Sequence, residues 1–201
     1  GVLAKRHGAK ATQLARPLAV RCARSAAALV AFLAALRRFG PRLLLRLLSA
    51  CFGLAPPLPG SVRRLGSFRV PTKGKGVHLY TVIYTREGVG AAPTLLVRTP
   101  YGVDLIEVLA YAMAGQGFNV VLQSCRGRFD STGEQTFGAF EDVDGVAALD
   151  WLAQRGFEWY DKERLVMFGI SYLGLVQWAL QAGLQRRRVA GGGCGSRLVG
   201  I

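Results

Sequence analysis

"RLVMFGISYLGLVQWALQAGL", residues 164–184, decides the fold. The apolar run Leu165–Ile170 enters a turn of small residues that contains Ser171. A short, continuous apolar run bounded by turn residues suits a strand buried on both faces. The following "LGLVQWALQAGL" has helical spacing. A serine between a strand and a helix has two readings. It can cap the helix by accepting an N–H bond, or it can stand exposed on a strained turn as a nucleophile.

Upstream segments supply the rest of the sheet. "VHLYTVIYT", Val77–Thr85, is rich in β-branched and aromatic residues and reads as an early antiparallel strand. "TLLVR", Thr94–Arg98, is a short buried strand ending at "TPYG", and "FNVVLQS" is another. "DLIEVLAYAMAGQG" has helical spacing from Leu105 to Met113, with a glycine stop. "RGRFDSTGEQTFG" is a polar loop, and "EDVDGVAALDWLAQRG" is an amphipathic helix with Val146, Leu149 and Leu152 on one face. Alternating strands and helices predict an α/β fold: a mostly parallel sheet with helices on both faces.

The 201 residues suffice for one good-sized core, and 51% apolar content argues against global disorder. The net charge of +14 is confined to the first part of the chain. Residues 1–86 hold sixteen Lys/Arg and no acid, whereas residues 87–201 hold ten basic and twelve acidic residues. The basic character therefore says little about the segment around Ser171. Cys22, Cys51, Cys125 and Cys194 show no CxxC spacing and no neighbouring histidine, so no metal and no cofactor are expected. Four free thiols in a reducing compartment imply a cytoplasmic protein.

Residues 1–64 read as a basic Arg/Leu/Ala-rich helical leader and linker, closed by "APPLPGS". Its longest uncharged run, Ser25–Leu36, is too short to cross a bilayer, which takes about 20 residues. Two short helices broken near "FGPR" read as a poorly ordered or loosely packed extension, or as an interfacial helix on anionic lipid, a targeting leader, or an extension packed on the next domain. Contact with a membrane surface would go through residues 1–60. A nucleic-acid arm is not expected, because Phe32 and Phe39 are the only aromatics before Phe52. Residues 65–185 form the α/β segment, and residues 186–201 read as an irregular tail.

Strand, turn and helix around Ser171 match the nucleophile elbow of α/β hydrolases. Gly169 and Gly174 leave room for the tight turn. The helix N-terminus favours negative charge, and the backbone N–H after the serine, that of Tyr172, can donate to an oxyanion. The glycine lies three residues after the serine, one more than in the usual G-x-S-x-G.

Four segments together resemble the cocaine esterase / X-prolyl dipeptidyl peptidase family of serine α/β hydrolases. These are "LLVRTPYG", "GFNVVLQSCRGRFDSTGE", "EDVDGVAALDWLA" and "GISYLGLVQWA", and the resemblance covers roughly residues 68–182. That family's elbow carries Tyr after the serine and Gly three residues after it. The resemblance implies that Ser171 is the nucleophile and that the Tyr101 hydroxyl helps form the oxyanion hole. It implies a small ester or peptide as substrate, cleaved through an acyl-enzyme on Ser171. Two positions depart from the family: Ser124 and Lys75 stand where Asp is common. Arg126, Asp130 and Asp144 are expected to hold loops rather than do chemistry.

In this fold the triad runs Ser, Asp, His. No Asp, Glu or His follows Ser171, and the only histidines are His7 and His78. The triad Asp and His are thus not in this chain, and His78 is expected far from the active edge of the sheet. A serine without a base is a poor nucleophile, so the chain by itself is expected to be inactive. The last strand would also be an exposed apolar edge, and "RRRVAGGGCGSRLVG" reads as a gene-fragment or frameshifted end. The alternative reading is a non-catalytic fragment, or a protein held at a membrane surface by its basic leader. Oligomeric state is not legible.

Overall fold

The computed structural model describes residues 46–47, 50–51, 53, 55, 61–88, 90–191 and 198–200. The chain divides into two units, Gly1–Cys51 and Phe52–Ile201. The leader helices expected from the sequence lie outside the described residues, as do Cys22 and Cys194. Among the described residues no helix is long and apolar enough to cross a membrane. Cys51 and Cys125 are free thiols, and no His/Cys/Asp/Glu cluster could hold a metal among those residues.

The second unit is built on a six-stranded sheet in the order β1-β2-β4-β3-β5-β6. Its strands are β1 (Val62–Pro71), β2 (His78–Arg86), β3 (Ala92–Thr99), β4 (Asn119–Ser124), β5 (Tyr160–Met167) and β6 (Leu198–Gly200). Its helices are α1 (Val103–Gly115), α2 (Glu141–Gln154) and α3 (Tyr172–Val189). β1/β2 and β2/β4 pair antiparallel, whereas β4/β3, β3/β5 and β5/β6 pair parallel. The sheet is therefore mixed, and "mostly parallel" holds only for its β4-β3-β5-β6 half.

Side-chain alternation along the strands feeds two cores. Leu95 and Val97 of β3, with Val120 and Leu122 of β4, face Val103, Ala110 and Ala114 of α1. Leu96 and Val121 point the other way, toward Leu149 and Leu152 of α2 and Val176, Leu180 and Leu184 of α3. Burying each such leucine contributes about 1.5–3 kcal/mol, so helices cover both faces as the continuous apolar strands require. Val146 packs at the margin of the second core.

The structure departs from the sequence reading in four places. β1 begins at Val62, inside the stretch read as linker, and is paired along its length with β2. β5 ends at Met167, so Phe168 and Ile170 belong to the turn and are exposed rather than buried in a strand. α3 continues through Arg186, Arg187 and Arg188 to Val189, so the tail read as irregular starts as helix. β6 then pairs with the apolar end of β5, matching Leu165 to Leu198 and Val166 to Gly200, so that end is not a bare edge.

Candidate active site

β3 and β5 are parallel neighbours, so both deliver their exits to the same edge of the sheet. Leu96 is level with Met167. Tyr101 follows β3 and Ser171 follows β5 at that edge. Ser171 adopts φ 55 and ψ −126, one of two non-glycine residues at positive φ among the described residues. Such backbone costs about 1–3 kcal/mol and persists only where its surroundings enforce it. Ser171 is exposed and stands at the N-cap position of α3, yet its side chain makes no capping hydrogen bond. Its carbonyl instead accepts from the N–H groups of Gly174 and Leu175, each at 3.0 Å. The plain capping role is thus not what the hydroxyl does.

The turn is enforced by packing. Gly169 has φ 150, and a Cβ there would meet the Leu173 Cβ at 2.2 Å. The Gly169 carbonyl accepts a 3.1 Å bond from Gln177 Nε2, which ties the turn to the next turns of α3. Gly174 is less constrained than its place in the motif suggests, since a Cβ there would make an ordinary 3.5 Å contact with the Gly169 oxygen.

The first N–H groups of a helix have no intrahelical acceptor. Tyr172 is the first residue of α3, and the turn hydrogen bonds begin at the Leu173 N–H, which donates to Ile170. The Tyr172 side chain is buried, and its phenol donates to Glu141 Oε1 at 2.8 Å. Burial, and then that carboxylate, push the phenol well above the ordinary tyrosine range. Tyr101 is 43% exposed, with its backbone N–H bonded to Thr99 Oγ1. The ring of Phe129, the other positive-φ residue, lies against Gly102 beside it. Phe129, Phe137, Phe168 and Ile170 are exposed on loops at this edge and give it an apolar rim.

Under the edge runs a buried polar row that the sequence did not disclose. Thr81, Gln123 and Arg98 are in register across β2, β4 and β3. Gln123 Nε2 donates to Thr81 Oγ1, and Arg98 Nε donates to Gln123 Oε1. Arg98, with no exposed surface, then meets Glu141 Oε2 at 2.9 Å, a close ion pair without hydrogen-bond alignment. Its Nη1 also donates to the Glu141 carbonyl. Asp144, equally buried, accepts from both Arg126 Nε and Nη2 and from Thr72 Oγ1. Arg126 and Asp144 thus clamp the β4–α2 loop, as expected, whereas Asp130 is exposed. Ser124 Oγ is buried without a partner, and Lys75 lies exposed in the β1–β2 turn.

His78 is nearer the active edge than expected. Because β2 is antiparallel to β4, its first residue lies at the edge where β4, β3 and β5 end. Three strand steps of about 4.8 Å still put β2 roughly 14 Å from β5. The His78 ring contacts Arg69 and Thr132 and not Ser171. Among the described residues no histidine or carboxylate bonds the Ser171 hydroxyl.

The chain is 35% identical over 111 residues to cocaine esterase of Rhodococcus sp. (strain MB1 Bresler), a match that covers 51% of this chain and 18% of that protein. The chain thus spans about a fifth of that relative's length. An aminopeptidase from a marine-sediment Thaumarchaeota archaeon superposes with a TM-score of 0.51 at 22% identity, covering 59% of this chain and 23% of that one. An α-amino acid ester hydrolase superposes with a TM-score of 0.52 at 23% identity, over 63% and 24%. At such identities the superpositions establish the α/β-hydrolase fold. Residues 75–190, more than half of the chain, match the X-Pro dipeptidyl-peptidase (S15) family, and the chain belongs to that family.

Proposed function

We propose that this chain carries the nucleophile half of a serine hydrolase that cleaves esters or peptide amides by acyl transfer. One observation carries the reading. Ser171 is held at φ 55 with an exposed, uncapped hydroxyl, at the exit of a strand paired parallel with the one that leads to Tyr101. In this reading Ser171 Oγ attacks the substrate carbonyl carbon while its proton passes to a base. The carbonyl oxygen becomes an oxyanion that accepts hydrogen bonds from the Tyr172 N–H and the Tyr101 phenol. Collapse expels the alcohol or amine, which takes up the proton, and water then releases the acid. Each oxyanion donor typically accounts for about 10²–10³ in rate. The apolar rim of Phe129, Phe137, Phe168 and Ile170 suits substrates with apolar groups beside the scissile bond. In this reading small esters and peptides are the substrate class, as the family resemblance implies.

The base is the missing part, because residues 172–201 contain no Asp, Glu or His. Alone, residues 1–201 would have only the small residual rate that binding and an oxyanion hole supply. Labelling with a fluorophosphonate probe tests the reading. Residues 1–201 should label weakly or not at all, and a longer polypeptide that supplies Asp and His should form an adduct at Ser171, lost in Ser171→Ala. An adduct elsewhere, or none on the longer polypeptide, refutes the assignment.

A further inference from the structure

We infer that a buried relay, Arg98–Glu141–Tyr172, sets the spacing between the two groups that flank the nucleophile, and that Arg98 and Glu141 are its positioning residues. The inference rests on the proposed oxyanion roles of Tyr101 and the Tyr172 N–H.

Arg98 lies on β3, three residues before Tyr101, and is fully buried. Glu141 opens α2 and is buried among Arg98, Tyr172 and the Cys125 thiol. One carboxylate oxygen faces Arg98 at 2.9 Å, and the other accepts the Tyr172 phenol at 2.8 Å. Tyr172 is also the residue whose N–H follows the nucleophile. The strand that leads to one donor and the helix start that supplies the other are therefore bolted to the same carboxylate.

Each bolt is itself constrained. Arg98 is fixed along the sheet by Gln123, which is fixed in turn by Thr81. The Tyr172 ring is held edge-on by Phe137 at 5.2 Å, and its oxygen receives the Gly138 N–H at 3.4 Å. In a close-packed interior of this kind a side chain has no slack to re-site itself. Removing the Tyr172 hydroxyl takes away the link that runs from the first turn of α3 through Glu141 to β3.

Glu141→Gln keeps an acceptor oxygen for the phenol but removes the nearer of the two carboxylates that face Arg98, leaving Asp144 Oδ2 at 3.9 Å. Tyr172→Phe keeps the ion pair and removes only the phenolic link. Backbone amide resonances of Ser171 and Tyr172, and the ring resonances of Tyr101, report position in the folded chain without needing turnover. Urea midpoints report stability. Tyr172→Phe is expected to move all three sets of resonances outside their linewidths with a small drop in midpoint. Glu141→Gln, which weakens the Arg98 leg, is expected to move the Tyr101 ring resonances with a larger drop in midpoint. Unmoved resonances in a folded Tyr172→Phe protein overturn the relay, as do shifts confined to residues 171–173 with Tyr101 unaffected. Should Glu141→Gln not fold, the Tyr172→Phe result alone decides. These readouts are independent of probe labelling, so a failed adduct at Ser171 of the longer polypeptide refutes the hydrolase reading and leaves the relay to its own test.

Discussion

Leu173 occupies the space that a side chain on Gly169 would need, with its Cβ 2.2 Å from where that side chain would begin. The turn that exposes Ser171 therefore exists because one residue of it has no side chain and the next turn of helix closes over the gap. Gly169→Ala would combine overpacking with backbone strain, each costing about 1–3 kcal/mol. A loss of roughly 2–4 kcal/mol in urea unfolding is expected. Gly174→Ala is the control: its Cβ has ordinary contact distance, and alanine gains up to about 1 kcal/mol in a helix. It should be neutral or stabilising.

Ser171 carries a Cβ in a backbone region that favours glycine. Ser171→Gly should therefore be more stable than Ser171→Ala by about 1 kcal/mol, because only the first relieves the strain. Thermal unfolding of the two variants side by side checks this. Equal melting temperatures would mean that the turn is unstrained.

Cys125 sits at the exit of β4, where burial pushes its thiol up to about 12 from the ordinary 9.0. The folded state thus holds a proton that the unfolded state releases first. The associated stability is complete below pH 9.0 and is lost as pH rises toward about 12, at up to about 1.4 kcal/mol per pH unit. Tyr84 and Tyr172 are raised in the same direction by burial and by Glu107 and Glu141, and so steepen the decline above the ordinary phenol value. Urea midpoints measured from pH 8 upward should fall, more gently in Cys125→Ala. At neutral pH iodoacetamide should modify exposed Cys51 and spare Cys125.

Ion pairs of different depth should respond differently. Arg98→Met leaves Glu141 buried and short of its cation, which typically costs 3–5 kcal/mol. Arg164→Ala removes a half-exposed partner of Asp161 and should cost at most about 1 kcal/mol. Chemical denaturation of the two variants gives the comparison, and similar losses would contradict the burial argument.

Much of this was legible in the sequence because the signals were local. Apolar runs marked β2, β3 and β4, helical spacing marked α1 and α2, and the run into "GIS" located the turn. β1 is hidden in the sequence because Arg63, Arg64 and Arg69 face outward on an edge strand, and because a bulge between Arg64 and Gly66 shifts its alternation. The end of β5 is not legible in the sequence because Phe168 and Ile170 are apolar yet exposed. The buried relay was illegible for a different reason. Arg98 ends an apolar strand, Glu141 opens a helix, and only the register across β4 and the docking of α2 reveal that they meet. Ser171 could be located from its neighbours, but its φ depends on Leu173 closing over Gly169.

The short β6 has one more consequence. It reaches only Leu165 and Val166 on the outer side of β5, and the stretch before them is Asp161, Lys162, Glu163 and Arg164. Among the described residues the apolar end of that strand is thus sheathed, and the length left open is a row of alternating charges. Such a border discourages a second polypeptide from zipping on through its main chain. Neutralising those four residues would turn a guarded border into a template for fibre growth.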